Sequence, residues 1–240
     1  MKKMLSVLIV LCLAGAASAD MVAYYNFEEG SGVVAADSSG YGNAADGIKG
    51  GAGTISWIPG KVGNYAASLD GASYFNCGKD SKFDITGQIS IAAWIKSTPN
   101  HFFEMLVSKG NGAGWRVCEL VDTNSMFWGV NGDNANIGGS IPALDDTWHH
   151  VAATYDETAD LTRLYIDGVK EELSYTWPIL TNPYDVVLGA NAELGYGFNW
   201  FGAMDDVRIY NHALTEAEVK ALVPEPATMA LLGLGALGLL

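Results

Sequence analysis

Basic residues are scarce: 13 Lys and Arg stand against 27 Asp and Glu, for a formal net charge of −14 over 240 residues. A protein that neutralises phosphates needs the opposite balance, so no nucleic-acid partner is expected. The acidic excess suits solubility, salty surroundings or calcium. Charged residues of both signs make up only 17% of the chain, and 49% is hydrophobic, which leaves enough apolar material for a substantial core. The sequence also lacks a serine-centred nucleophile elbow, a phosphate-binding Gly-Lys loop and a dinucleotide fingerprint. The predicted strands carry no spaced carboxylates either. Residues i and i+2 of a strand share a face, so a glycosidase pair on one strand should read acid-x-acid. Glu119 and Asp122 are instead three apart, Asp145-Asp146 and Asp205-Asp206 are adjacent, and Glu157 and Asp160 lie in a loop. No catalytic residue is expected. His149 and His150 would face opposite ways on a strand, and no third metal ligand is near in sequence.

Cysteine is rare as well, with only Cys12, Cys77 and Cys118. Cys12 belongs to an N-terminal stretch that reads as a signal peptide over residues 1–19. Lys2 and Lys3 supply its charge, Leu5 to Leu13 its apolar run and Ala17-Ser18-Ala19 its cleavage site. The mature chain then starts at Asp20 and is exported. An even pair of cysteines in an oxidising compartment favours a Cys77–Cys118 disulfide, with two buried thiols as the alternative.

What is present is strand periodicity. Residues 148–172 carry Val151, Ala153 and Tyr155 at alternate positions, then Thr162, Leu164 and Ile166, then the turn pair Asp167-Gly168 before Val169. Ile89, Ile91, Ala93 and Ile95 alternate with Trp94 on the other face, and Val207 and Ile209 repeat the pattern near the end. These hairpins predict an all-β, antiparallel protein whose alternating residues are buried. One short helix is predicted at Thr215–Leu222, where Thr215 and Glu218 form a capping box and Pro224 ends it.

Several short motifs occur in a telling order. Tyr24-Tyr25-Asn26-Phe27-Glu28-Glu29-Gly30-Ser31-Gly32, Asp37-Ser38-Ser39-Gly40-Tyr41-Gly42-Asn43, Pro59-Gly60-Lys61-Val62-Gly63 and Leu69-Asp70-Gly71 come first. Ile91-Ala92-Ala93-Trp94-Ile95-Lys96, Trp148-His149-His150-Val151-Ala152, Tyr165-Ile166-Asp167-Gly168 and Asp205-Asp206-Val207-Arg208-Ile209-Tyr210-Asn211 follow. Together they resemble a bacterial LamG-like domain over residues 20–222, which implies a two-sheet jelly-roll sandwich of the concanavalin A-like kind. The tail, residues 223–240, resembles a PEP-CTERM sorting signal: Pro224-Glu225-Pro226 followed by an apolar run. That run is shorter than the roughly 20 residues a spanning helix needs. The expectation is transient membrane association through the tail and a final location at the cell surface or outside the cell.

The resemblance also implies that the 37–43 loop meets the closing strand. A structural calcium ion there would take Asp37, Asn43 and Asp206, with Asp206 preferred over Asp205 because alternation places it opposite Val207 and Ile209. For function, non-catalytic binding or adhesion is expected, with a glycan or extracellular polysaccharide as partner. A glycan hydrolase and a purely structural matrix protein are the alternatives. The suggested platform is Tyr196, Phe198 and Trp200: in an extended segment these alternate residues face one way, as a sugar-stacking surface would require.

Overall fold

The computed structural model describes residues 21–42, 44–100, 102–132 and 135–223. The expected signal peptide, Asn43 and the apolar tail lie outside the described residues. The chain begins with β1 (Met21–Tyr25), β2 (Val34–Ala35), β3 (Gly47–Gly51), β4 (Ile55–Pro59), β5 (Tyr65–Asp70) and β6 (Ser73–Asn76). The middle holds β7 (Gln88–Ser97), β8 (Met105–Lys109), β9 (Trp115–Glu119), β10 (Ser125–Val130) and β11 (Ala135–Pro142). Then come β12 (His149–Asp156), β13 (Leu161–Ile166), β14 (Val169–Leu173), β15 (Val187–Leu188), β16 (Phe201–Tyr210) and the helix α1 (Glu216–Ala221).

The strands form two antiparallel sheets. The first runs β14-β13-β12-β7-β16-β5-β4, with β1 also paired to β16; the second runs β11-β10-β9-β8-β15-β6-β3-β2. Register explains why the alternating residues all reach the core. Val151 lies opposite Ala93 and Ile166, Ala153 opposite Ile91 and Leu164, and Tyr155 opposite Ile89 and Thr162. All three belong to the buried core between the sheets, as do Leu164, Ile166, Val207 and Ile209. Burying each large aliphatic or aromatic side chain contributes about 1.5–3 kcal/mol. Asp167 and Gly168 both take positive φ (50° and 76°) and close the two-residue hairpin turn that their types predict.

The outer face of the first sheet is closed by α1. Thr215 caps it, its hydroxyl accepting from the Glu218 N–H while the Glu218 carboxylate accepts from the Thr215 N–H. Val219 and Leu214 then pack with Ala92, Ala152, Tyr165 and Tyr210. His150 is buried on this sheet beside Trp94, 5.2 Å between ring centres. His149 is partly exposed and bridges Asp145 and Asp167.

The disulfide expectation is overturned. Cys77 follows β6 and is buried in the core between the sheets, whereas Cys118 of β9 belongs to a separate cluster with Met105 and Phe127. β15 and β8 stand between the two strands. Three strand spacings, about 14 Å, far exceed the reach of a disulfide. Burial pushes the Cys77 thiol up to about 12, so it is an inert packing residue.

Candidate functional site

The outer face of the second sheet carries the concavities. Met105, Cys118 and Phe127 pave its centre, with Phe103 and Leu120 packed against them. Phe103 and Phe127 meet at 5.3 Å between ring centres, and the Arg116 guanidinium lies 5.5 and 5.2 Å from those same centres. Arg116 is held there by donating to the carbonyls of Asn111 (3.0 Å) and Gly132 (2.9 Å).

A cleft of about 500 Å³ opens at one end of this face, lined by Phe102, Phe198, Phe201, Asn100, Asn199 and Glu104, with Asp70 at its rim. It continues through Phe102 and Phe198 into a hollow of about 460 Å³ above Phe103, Met105 and Arg116. Three phenylalanines around the cleft stay in water: Phe102 is 66% exposed, Phe201 50% and Phe198 45%. Glu104 is the buried carboxylate of the cleft. Its oxygens accept from the Asn100 side-chain amide (2.5 Å) and the Phe201 N–H (3.0 Å), and burial pushes its carboxyl above the usual range against those two bonds. Glu104 therefore braces the loop before β8 against the start of β16.

On the far side of the 190–199 loop lies a second trough of about 630 Å³. Its wall is a stack of Tyr74 on Tyr196, 4.9 Å between centres and 10° from parallel. Tyr74 lies flat over the β3 backbone because its cross-strand partner is Gly50, where any Cβ would collide with the ring. The Tyr196 hydroxyl donates to Asp185 at 2.9 Å, and Asn76 donates to the same carboxylate at 2.8 Å.

The predicted platform of Tyr196, Phe198 and Trp200 is not a single surface. Tyr196 and Phe198 sit at φ 60° and 57°, so the segment is a series of turns and alternate residues do not share a face. Tyr196 lines the trough, Phe198 lines the cleft, and Trp200 is fully buried in the core. The loop is the partition between two concavities, tethered by Asn191 to the Gly110 carbonyl and by Glu193 to the Asn111 and Gly112 N–H groups. Sequence reasoning missed Phe102 and Phe201. Phe102 lies in the loop before β8, which begins only at Met105, and a loop aromatic leaves no periodic mark. Phe201 opens β16 and leaves no periodic mark.

Two of the expected calcium ligands, Asp37 and Asp206, have partners within the protein, and the third, Asn43, lies outside the described residues. Asp37 accepts from Lys82 Nζ (2.5 Å) and from the backbone N–H groups of Tyr24, Ser39 and Ala45. Burial pushes its carboxyl upward, but the bonds from Lys82, Ser39 and Tyr24 outweigh that and hold it below the usual range. Asp206 pairs with Arg208 (2.9 Å) and accepts from the Tyr24 hydroxyl (2.7 Å). Among the described residues no three His, Cys, Asp or Glu side chains gather as a metal site. Among the described residues Asp37 and Asp206 as placed do not make a calcium shell, since an ammonium pairs with Asp37 and a guanidinium with Asp206. A bulge between Asp205 and Arg208, with Asp206 at φ 51°, also breaks the alternation used to choose between the aspartates. Asp205 is buried opposite Trp94 and accepts from the Lys61 and Val62 N–H groups, both at 2.8 Å.

Known proteins place this architecture. The fourth domain of an extracellular arabinanase from Geobacillus stearothermophilus, solved with arabinotriose, is 23% identical and superposes with a TM-score of 0.66 over 86% of this chain and 99% of that one. The binding domain of Paraclostridial Mosquitocidal Protein 1 is 20% identical, with a TM-score of 0.65 over 85% of this chain. A botulinum neurotoxin type C structure, described as depending on two ganglioside molecules for cell entry, is 13% identical with a TM-score of 0.62. The chain spans about half the length of the two toxin structures (52% and 50%). At these identities the likeness establishes the fold. Residues 222–240 match the PEP-CTERM protein-sorting motif, which marks an exported protein. Residues 69–220 match the concanavalin A-like lectin/glucanases superfamily, and the chain belongs to it.

Proposed function

We propose that the mature domain is a non-catalytic carbohydrate-binding module, acting at the cell surface or in extracellular polysaccharide, that holds a glycan in the cleft of Phe102, Phe198 and Phe201. The observation that carries this reading is the convergence of three solvent-exposed phenylalanines on one cleft whose rim bears amide and carboxylate groups. Aromatic faces accept the C–H faces of sugar rings, and a few placed polar groups orient the hydroxyls. The arabinotriose-bound neighbour supports a glycan ligand on this fold. Glu104 supports holding over cleavage, because both of its oxygens already serve the protein.

The test is affinity gel electrophoresis of the mature domain in debranched arabinan, xylan, laminarin and mannan. The native domain should be retarded by at least one of them. Phe102→Ala and Phe198→Ala should each weaken retention about fivefold, the loss of about 1 kcal/mol typical of an aromatic contact, with no change in melting temperature. Full retention by both variants, or no retention of the native domain in any of the four, would overturn the reading.

A further inference from the structure

We propose that residues 174–180 form a second glycan-contacting surface, through Tyr175 and Trp177, at the opposite end of the sandwich, so that one domain bridges two polysaccharide chains. The inference rests on the carbohydrate-binding reading above.

The segment is a strap pinned by its backbone. Thr162, which lies opposite Tyr155 across β13 and β12, donates to the Tyr175 carbonyl at 2.8 Å. The Tyr155 hydroxyl bonds both the carbonyl and the N–H of Trp177. Asn131, at the end of β10 in the other sheet, then bonds the Pro178 carbonyl and the Leu180 N–H. Ile179 is buried in the core. The strap therefore closes the gap between the sheets with its backbone and Ile179, yet it leaves Tyr175 44% and Trp177 47% exposed. The remaining six tryptophans are buried or only partly exposed, so Trp177 is the one that stands well into solvent. A rigid backbone that holds two large rings in water is ready to bind with little ordering cost.

The surroundings select the occupant. The strap's N–H and carbonyl groups named above are engaged within the protein and are not open to an added peptide strand. Asp160 accepts from the Thr176 hydroxyl at 2.9 Å, and the charges of Glu157 and Asp160 help raise the Tyr155 phenol above its usual value, after burial, which is the largest cause. A second copy of this acidic chain, or any polyanion, would bring carboxylates against like charge. A neutral polyhydroxyl chain meets no such repulsion: its C–H faces suit the rings and its hydroxyls can donate to the carboxylates.

The two surfaces are too far apart to share one short sugar. Tyr155 pairs with Ile89 near the start of β7, while Gly202, next to Phe201, pairs with Ser97 at its end. Eight residues of extended strand separate these levels, about 26 Å.

Iodide quenching of tryptophan fluorescence tests the surface directly, since iodide reaches Trp177 more readily than the other six tryptophans. In the polysaccharide that retards the domain, among the same four, quenching should fall, and that protection should vanish in Trp177→Ala. Native domain should also cross-link that polysaccharide into larger particles by light scattering. Trp177→Ala and, independently, Tyr175→Ala should lose cross-linking while still being retarded in the gel. Phe198→Ala should lose cross-linking and show the roughly fivefold weaker retention given above. Unchanged quenching in a retaining polysaccharide, or native-like cross-linking by both strap variants, overturns the bridging inference and leaves the first reading intact. Absence of retention in all four polysaccharides overturns both.

Discussion

Phe198 and Trp200 are two residues apart and have opposite environments. Trp200 is fully buried and Phe198 is 45% exposed. Trp200→Ala should therefore destabilise the domain by about 3–5 kcal/mol in chemical denaturation, the usual cost of emptying a core aromatic site. Phe198→Ala should leave stability nearly unchanged and act on glycan retention instead. A second contrast at this scale concerns His150 and Asp205, which flank Trp94 from the two neighbouring strands. Burial pushes the His150 imidazole from 6.5 down to about 4, with Asp167 opposing and Arg208 assisting. Its contribution to stability is present above pH 6.5 and is lost as the pH falls toward 4. Burial pushes the Asp205 carboxyl from 3.8 up to about 6, opposed by the Val62 and Lys61 N–H groups and assisted by Asp206. Its contribution has the opposite sign: it is fully present below pH 3.8 and is lost as the pH rises through 6. At 1.36 kcal/mol per pH unit each amounts to about 3 kcal/mol. The two nearly cancel between pH 4 and 6.5. Relative to native protein, His150→Gln should gain stability on acidification through that window and Asp205→Asn should lose it, as read from urea midpoints at each pH.

Among the elements, α1 spans only six residues and persists because its ends and face are satisfied. So short a segment does not hold as an isolated helix. The capping box supplies its N-terminus, and Val219 and Leu214 supply the apolar contact. Thr215→Ala should cost about 1 kcal/mol of stability, and amide hydrogen exchange at Val219 and Leu222 should accelerate while the sheet amides stay protected. The 190–199 loop shows a different logic. Its rings are placed by positive-φ residues and by tethers from Asn191 and Glu193, so the local sequence names the aromatics but not where each one goes.

For the molecule as a whole, the second sheet governs the thiols. Cys77 and Cys118 are both buried, separated by two strands, in different apolar clusters. Intact mass of exported protein should be the same with and without reductant, and both thiols should alkylate only after unfolding. A two-proton difference in mass would show that the strand order is wrong. The order of the two sheets together brings the loop before β8, the 190–199 loop and the start of β16 to one end of the sandwich, where the cleft opens.

The all-β class, the buried alternation of Val151, Ala153 and Tyr155, the Asp167-Gly168 turn and the capped helix were all legible in the sequence. Each depends on neighbours within a few residues, through a period of two, a tolerance of positive φ or a reciprocal cap. The motif order carried the family for the same reason, since it records which hairpins follow which. The site was not legible. Phe102 lies far along the chain from Phe198 and Phe201, Asp37 is claimed by a lysine 45 residues away, and a one-residue bulge between Asp205 and Arg208 puts Asp205 opposite Trp94, off the face of Val207 and Ile209 that strict alternation gives it. Only the tertiary structure decides such matters, because they depend on which strands become neighbours and where their ladders slip. Local periodicity carries no information about either.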